Sequence, residues 1–186
     1  MYQDIIIAGF GGQGVLLAGR VLAYAGMIEG MHVTWFPSYG IEMRGGTSNC
    51  TVVISSEEVA SPIVKNPSAI IVLNKASLIK FGPLLKKDGL AVINSSLVKE
   101  TFERSDVQTV YVPANEIAEE LGDSRVVNMI ALGTFVKSTG IIKMENLLNA
   151  LKDILPAKRQ SLLELNYEAI KRGASVVEKE ETVLKT

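Results

Sequence analysis

A cluster of glycines near the N-terminus constrains the fold more than any other feature of this sequence. Residues 5–8 form a short, continuous apolar run, which predicts a strand buried on both faces of a sheet. The glycines follow at once, in the sequence Gly9-Phe10-Gly11-Gly12-Gln13-Gly14. Residues 15–28 are then apolar on almost every side and predict a buried helix, and residues 32–36 predict a second strand. The chain therefore opens with a strand, a glycine turn, a helix and a strand, whose crossover we expect to be right-handed.

The alternation of strands and helices continues along the chain. Further strands are predicted at residues 50–54, 69–73, 90–93 and 107–112, and helices at residues 75–86 and 113–121. The last third is predicted to be helical, at residues 126–136, 147–155 and 163–177. We therefore predict an α/β fold: one Rossmann-like three-layer domain, residues 1–186, with a mainly parallel central sheet and a helical C-terminal third.

Composition limits the class of protein and the kind of partner. Of the 186 residues, 47% are hydrophobic and 21% are charged, a balance that excludes a disordered chain. The formal net charge of -1 gives no reason to expect nucleic acid or an anionic membrane as a partner. One cysteine cannot form an internal disulfide, and alone it cannot hold an iron-sulfur cluster or a zinc ion. We therefore expect a cytoplasmic chain with no metal site of its own.

The glycine turn fits the GxGxxG pattern of dinucleotide-binding proteins, directly after a strand and before a helix. In that pattern the first glycine permits a tight turn, the second lets a phosphate approach the backbone, and the third lets the helix pack closely on the sheet. A NAD site also needs an acidic residue about 20 positions further on, where this chain has Trp35-Phe36-Pro37-Ser38. Four interpretations stay open: NAD binding, an NADP variant that uses Ser38 or Arg44, a structural turn, and a contact to a phosphate of another kind.

A second glycine-containing segment follows the second strand and reads Ser38-Tyr39-Gly40-Ile41-Glu42-Met43-Arg44-Gly45-Gly46-Thr47. Taken alone, it would be interpreted as a turn with solvated charges. Together with the glycine turn it resembles the gamma subunits of the 2-oxoacid:ferredoxin oxidoreductases, which carry G-x-G-G-Q-G after the first strand and Y-G-x-E-x-R-G-G after the second. Residues 128–133, Asn-Met-Ile-Ala-Leu-Gly, are also similar to this family. The resemblance therefore extends over nearly the whole chain.

The resemblance implies that the chain is the gamma subunit of a multisubunit enzyme. Such an enzyme oxidatively decarboxylates a 2-oxoacid, transfers the acyl group to coenzyme A and passes electrons to ferredoxin. The loop is more similar to the 2-oxoglutarate and branched-chain members than to the pyruvate members, and the 2-oxoglutarate type is favoured. The resemblance also implies that thiamine diphosphate, Mg2+ and iron-sulfur clusters belong to partner subunits, and that no catalytic residue lies on this chain. The alternatives are a free-standing NAD(P)-binding Rossmann oxidoreductase and a structural or regulatory nucleotide-binding domain.

Two sets of site residues follow from the motifs and the resemblance. The first set would contact a phosphate or coenzyme A and consists of Gly9, Gly11, Gly12, Gln13 and Gly14. The second set would form an interface loop at the edge of the active site and consists of Tyr39, Gly40, Glu42, Arg44, Gly45, Gly46 and Thr47. Within this loop Arg44 is the candidate for a charged contact with the thiamine-binding subunits, because its planar guanidinium can bind a carboxylate through two hydrogen bonds.

For three other residues with polar or reactive side chains, we expect a structural role rather than a catalytic or binding role. His32 opens a strand, and no motif places a nucleophile beside it. Cys50 begins an apolar strand, where a free thiol is commonly a small buried hydrophobe. Asn128 lies in an otherwise apolar helix, where it is either a satisfied core amide or a polar site residue.

Overall fold

The computed structural model describes residues 1–38 and 47–183. Within these ranges six strands form one mixed sheet: β1 (Tyr2–Phe10), β2 (His32–Ser38), β3 (Thr47–Ser55), β4 (Ala69–Val72), β5 (Leu90–Asn94) and β6 (Gln108–Val112). Across the sheet the strands lie in the order β2-β3-β1-β4-β5-β6. The strands β1, β4, β5 and β6 are parallel to one another, whereas β3 is antiparallel to both of its neighbours. The predicted mainly parallel sheet is confirmed.

Helices pack on both faces of this sheet. Over the described residues they are α1 (Val15–Ile28), α2 (Lys75–Phe81), α3 (Ala114–Glu120), α4 (Val127–Thr139), α5 (Met144–Ile154) and α6 (Leu163–Val183). Short 3-10 turns at Gly82–Leu84, Ser124–Val126 and Ala157–Leu162 lie next to them. The C-terminal third is helical, as predicted. In the part of the chain that the structure describes, no helix is both long and apolar enough to cross a membrane.

The position of β3 differs from a simple succession of parallel strands. β3 lies between β1 and β2, with Thr47 opposite Phe10 of β1 and Asn49 opposite Ser38 of β2. It begins three residues before the predicted start at Cys50, because pairing with β1 uses main-chain groups and needs no apolar side chain at its first residues. As a consequence β2 is an edge strand, and the start of β3 lies beside the C-terminal end of β1.

Five of the described helices cover the first face of the sheet. The core on this face contains alternate strand residues together with apolar residues of α1, α3, α4, α5 and α6. The strand residues are Ile5 and Ile7 of β1, Cys50, Val52 and Ile54 of β3, Ala69 and Ile71 of β4, Leu90 and Val92 of β5, and Val112 of β6. Helix α4 is the most central of the five, since residues 127–136 are all buried.

The second face has a smaller core. It contains the other alternate residues of three strands, which are Ile6 and Ala8 of β1, Ile70 and Val72 of β4, and Ala91 and Ile93 of β5. Leu78 and Phe81 of α2 cover them together with Leu85 and Val98. Because β1, β4 and β5 are buried on both faces, their sequences are continuous apolar runs. Helices on both sides of the sheet give the predicted three layers.

Two glycines bring α4 and α6 into backbone contact. A side-chain carbon at Gly133 of α4 would overlap the carbonyl oxygen of Ile170, and one at Gly173 of α6 would overlap the carbonyl oxygen of Ile130. The Thr134 hydroxyl, which is fully buried, lies 2.9 Å from the Gly173 carbonyl oxygen and donates to it across the contact. The helices can therefore approach this closely only with glycine at both positions.

A buried carboxylate fixes the other end of β1. Asp4 is 4% exposed; its Oδ1 accepts the Ser68 amide N–H at 2.6 Å, and its Oδ2 lies 3.0 Å from Lys86 Nζ. Burial alone would raise the pKa of Asp4, but the hydrogen bonds from Ser68 and Lys86 outweigh burial and lower it. Asp4 therefore remains ionised and ties β1 to segments that lie more than 60 residues away in sequence.

Candidate functional site

The glycine turn connects the C-terminal end of β1 to the start of α1. Gly12 and Gly14 have φ angles of +97° and +73°, in the left-handed region that favours glycine. The Gln13 amide N–H donates to the Phe10 carbonyl oxygen at 3.1 Å, and the Gln13 side-chain oxygen accepts the Phe10 amide N–H at 2.6 Å. Asn74 also donates to this side-chain oxygen, at 3.3 Å. Gln13 therefore holds the turn closed with its own side chain.

The last glycine of the turn is in contact with Asn128. The Asn128 amide nitrogen donates to the Gly14 carbonyl oxygen at 2.9 Å, and a side-chain carbon at Gly14 would lie only 2.5 Å from that nitrogen. Asn128 is 3% exposed, and its Oδ1 is buried without a hydrogen-bond partner among the described residues. The amide orientation is set by Gly14, because a carbonyl oxygen can only accept. Asn128 is thus half satisfied, which is unusual for a buried amide.

A cavity of about 220 Å3 lies beside the turn. Its wall contains Gly12, Gly14 and Leu17 from the turn and α1, Asp123, Arg125, Val126 and Asn128 from the start of α4 and the segment before it, and Leu155, Leu162, Leu165 and Asn166 from the end of α5 and the start of α6. Three helices therefore begin at this cavity. Within the described ranges α1 has no side-chain cap at its N-terminus, so its first amide N–H groups are available to an anion. The 3-10 turn that leads into α4 is capped by Asp123.

Asp123 and Arg125 form an ion pair in the wall of the cavity. Asp123 accepts the Arg125 backbone N–H at 2.9 Å and binds its guanidinium through both carboxylate oxygens, at 2.6 to 3.0 Å. These hydrogen bonds lower the pKa of Asp123 and raise that of Arg125. The Arg125 side chain is 71% exposed, so it can turn toward a bound anion at small cost. Neither residue was predicted, since no motif in the sequence marks them.

The structure brings together only part of the predicted phosphate contact. Gly12 and Gly14 line the cavity, whereas Gln13 faces the Phe10 amide and Asn74. Gly9 is the penultimate residue of β1 and pairs with Ser48, and Gly11 is exposed at the tip of the turn.

Most of the predicted interface loop falls outside the described residues. Tyr39, Gly40, Glu42, Arg44, Gly45 and Gly46 belong to that part of the chain. Thr47 is the first residue of β3 and lies opposite Phe10, beside the glycine turn. The two motifs therefore meet at the carboxyl edge of β1, where ligands commonly bind in open α/β sheets.

The sheet order does not favour a dinucleotide site. In a dinucleotide-binding fold, the acidic residue that binds the ribose lies at the end of a parallel strand next to the first. Here the adjacent strand is β3, which runs the other way and starts at this edge. Ser38, at the end of β2, is two strands from β1, a separation of about 10 Å.

The residues with expected structural roles lie away from this cavity. Cys50 is fully buried, its sulfur is 3.6 Å from the Val15 carbonyl oxygen, and burial raises the pKa of its thiol to about 12. It is therefore a neutral core residue. His32 is exposed on the edge strand β2, opposite Ser55. No three His, Cys, Asp or Glu side chains could hold a metal ion together in the described part of the molecule.

The sequence analysis did not predict a row of side-chain amides at the carboxyl edge of the sheet. Asn74 follows β4 and caps α2, accepting the Ser77 amide N–H at 2.9 Å. Asn94 ends β5; it donates to the Leu73 carbonyl oxygen and to Asn115 Oδ1, and accepts the Ala114 amide N–H at 3.2 Å. Both asparagines directly follow an apolar run in the sequence, a signal that could have identified them. They link the strand ends and so hold the edge beside the glycine turn rigid.

Comparison with known proteins identifies the family. The family model described as pyruvate ferredoxin/flavodoxin oxidoreductase matches residues 4–176. The chain is 39% identical over 170 residues to ketoisovalerate oxidoreductase subunit VorA of Methanothermobacter thermautotrophicus, covering 90% of this chain and 35% of that one. It is 33% identical over 184 residues to 2-oxoglutarate synthase subunit KorC of Methanothermobacter marburgensis, covering 95% of this chain and 97% of that one. The chain thus spans about a third of the length of its VorA relatives and nearly all of KorC.

A solved structure agrees with these sequence relationships. The keto/oxoacid ferredoxin oxidoreductase gamma subunit from Geobacter sulfurreducens superposes with a TM-score of 0.81 and 30% identity, over 94% of this chain and 97% of that one. The resemblance to gamma subunits is therefore confirmed. The chain belongs to the pyruvate ferredoxin/flavodoxin oxidoreductase family, as a domain of the gamma-subunit type.

Proposed function

We propose that this chain is the gamma subunit of a cytoplasmic complex that oxidatively decarboxylates a 2-oxoacid to the acyl-CoA and CO2, with ferredoxin as the electron acceptor. The observation that carries the proposal is the match to KorC over nearly the full length of both chains. Thiamine-binding and iron-sulfur subunits would supply the carbon chemistry and the path for electrons. The single cysteine supports this division, because it is buried in the core and cannot ligate a cluster alone.

The substrate that we favour is 2-oxoglutarate. Three KorC relatives are 32 to 35% identical and are covered almost completely, whereas a pyruvate synthase subunit PorC is 31% identical. The higher identity to VorA makes the branched-chain 2-oxoacid the second candidate. Ferredoxin reduction by the assembled complex, measured with 2-oxoglutarate, 2-oxoisovalerate and pyruvate in turn, tests the choice. Preference for pyruvate would contradict it.

Within that complex, the cavity at the glycine turn is the proposed contact for coenzyme A. The uncapped N-terminus of α1 offers amide N–H groups and a positive dipole end to a phosphate, and Arg125 adds a cation. The unpaired Oδ1 of Asn128 can accept from an amide or amine N–H of the same ligand. At about 220 Å3 the cavity is smaller than a usual small-molecule site of at least ~300 Å3, so it would hold only part of coenzyme A.

A substitution of Arg125 tests this contact. We expect Arg125→Ala to raise the KM for coenzyme A about tenfold, the value of one hydrogen bond to a charged group, and to leave the KM for the 2-oxoacid unchanged. Lys87→Ala is a matched control, because Lys87 is an exposed cation that precedes β5 and so lies at the opposite, amino edge of the sheet. An unchanged KM for coenzyme A in the Arg125 variant would contradict the assignment.

The predicted interface loop would close the active site from the same edge. Thr47 lies beside Phe10, and this supports placing the loop next to the glycine turn. We expect Arg44→Ala to weaken both complex assembly and turnover, and Arg44→Lys to restore little, because lysine lacks the planar fork. Normal assembly together with normal turnover in Arg44→Ala would refute the role of the loop.

Two measurements separate the proposal from its alternative: the thermal stability of the purified chain with NAD or NADP, and the co-purification of the chain with other subunits. A dinucleotide-binding oxidoreductase would gain thermal stability with NAD or NADP and would not associate with other subunits. A gamma subunit should show no shift with either dinucleotide and should co-purify with a thiamine-binding and an iron-sulfur subunit. The first pattern of results would replace our proposal with the alternative.

A further inference from the structure

Part of the second face of the sheet is left open beside the glycine turn. Side chains alternate along a strand, and those of β1, β2 and β3 that point away from the five-helix layer include two exposed aromatic residues. Phe36 is 50% exposed and Phe10 is 40% exposed. We call this patch the open sheet surface, and it consists of Phe10, Phe36, Ser38, Thr47, Asn49 and Thr51.

The open sheet surface has the composition of a protein contact. None of its six side chains is charged, and its polar members are hydroxyls and one amide, which can pair with main-chain or side-chain groups of a partner. Aromatic residues on an uncharged surface are typical of the centre of an interface. The second core ends at β1, so α2 and its neighbours bury Ile6 and Ala8 but not Phe36, which is two strands away.

The relatives indicate what covers this surface. In VorA the equivalent domain is about a third of one longer chain, whereas in KorC it is nearly the whole chain. The same domain therefore meets the rest of its enzyme either as part of one polypeptide or as a separate subunit. A separate subunit has no linker to hold it in place, so its own surface must supply the association energy. The open sheet surface is the uncharged aromatic patch that adjoins the carboxyl edge of β1, where the interface loop begins and ends.

We propose that the open sheet surface docks on the subunit of the complex that corresponds to the remaining two-thirds of VorA, through an apolar, uncharged patch on that subunit. This inference rests on the proposed function and adds the side of the gamma subunit that makes the contact. The partner seals Phe36 and Phe10 from water and reaches the glycine turn from the β3 side, opposite the helices that begin at the cavity.

Assembly of charged variants tests the docking surface. We expect Phe36→Lys and Thr51→Lys each to weaken assembly of the co-expressed complex by about tenfold or more, because a lysine would be buried without a counter-charge. Met27→Lys is the matched control: Met27 is 60% exposed on α1, on the other side of the sheet, and the variant should assemble like the wild type. The melting temperature of each isolated variant separates a docking defect from a folding defect.

Hydroxyl-radical footprinting of the wild-type chain measures the solvent exposure of the open sheet surface without a substitution. Oxidation of Phe36 should fall several-fold when the complex forms, while oxidation of Met27 should not change. Normal assembly of both lysine variants, or an unchanged rate of Phe36 oxidation, would overturn the docking surface and leave the proposed function intact. Failure of the wild-type chain to join any thiamine-binding subunit would overturn both.

Discussion

The two faces of the sheet are built from the same strands but meet different surroundings. On the first face, α1 and α3 to α6 cover strand residues as far as Val33 and Trp35 of the edge strand. On the second face, the helical cover is limited to β1, β4 and β5, and Phe36 of β2 is half exposed. The first face therefore accounts for most of the stability, while the open part of the second face is available to a partner. Substitutions on the two faces should separate these properties.

The largest loss of stability is expected where α4 and α6 touch on the first face. Gly173→Ala places a carbon against the Ile130 carbonyl oxygen, which belongs to a buried helix and cannot move aside. We expect a loss of about 3 kcal/mol in the free energy of unfolding, or roughly 6 to 12 °C in Tm. Ser175→Ala, two residues on in the same helix, should stay within about 0.5 kcal/mol. Equal Tm values for the two variants would show that the helices separate easily.

A smaller loss is expected at Asp4, which points to the second face beneath its covered part. Asp4→Asn should cost about 2 kcal/mol near pH 7, because the charged hydrogen bond with Lys86 is lost. The pKa of Asp4 is lowered in the folded chain, so its contribution is present above the unfolded pKa and is lost as the pH falls below about 4. Thermal unfolding of both proteins across pH 3 to 7 should therefore show their Tm values converging at the acid end. A difference independent of pH would assign the loss to packing alone.

Adjacent residues of β3 sharpen the comparison within one strand. Cys50 points to the closed first face and Thr51 to the open surface. Cys50→Ser should cost about 1 to 2 kcal/mol, since a hydroxyl would be buried beside Val15, Gly19 and Trp35. Thr51→Ser should cost a few tenths of a kcal/mol at most. Chemical denaturation measures both, and a larger effect at Thr51 would reverse the contrast between the faces.

The smallest effect on stability is expected on the open surface itself. Phe36→Thr removes an aromatic ring that is already half in water, and threonine suits an edge strand. The isolated chain should change by no more than about 0.5 kcal/mol, while assembly of the complex should weaken measurably. A destabilisation as large as that of Gly173→Ala would mean that Phe36 belongs to the core.

Strands buried on both faces could be predicted closely from the sequence. The apolar runs predicted the ends of β4 and β5 to within one residue. A strand buried on both faces is apolar at every position, so its limits can be recognised in the sequence. The direction and place of β3 could not be predicted, because they depend on pairing with β1 some 40 residues earlier, and no local pattern records it. The buried positions of α6 could not be predicted from its apolar residues either. Gly173 is buried and Ala174 is only partly buried, because the close contact with α4 selects a glycine that hydrophobic periodicity does not count.

The candidate site divides in the same way. The glycine turn was recognisable because its conformation requires local residues, with Gly12 and Gly14 at positive φ. The cavity beside it was not, because its wall is assembled from Leu17, Arg125, Leu155 and Asn166, which only the packing of α1, α4, α5 and α6 brings together. Asn128 was left between two roles, and the structure shows the reason: one end of its amide is satisfied by Gly14 and the other is unpaired.

The central place of β1 also has a consequence for synthesis. Its two neighbours, β3 and β4, both come later in the chain, and β4 ends only at Val72. At about 5 to 20 residues per second, a ribosome needs roughly 3 to 12 s to proceed from Phe10 to Val72. Until β3 is complete at Ser55 the run Ile5-Ile6-Ile7-Ala8 has neither partner strand, and until Val72 it still lacks β4. Unpaired strand edges of this kind promote aggregation of nascent chains. The central strand of the sheet is thus made before either of the strands that protect its edges.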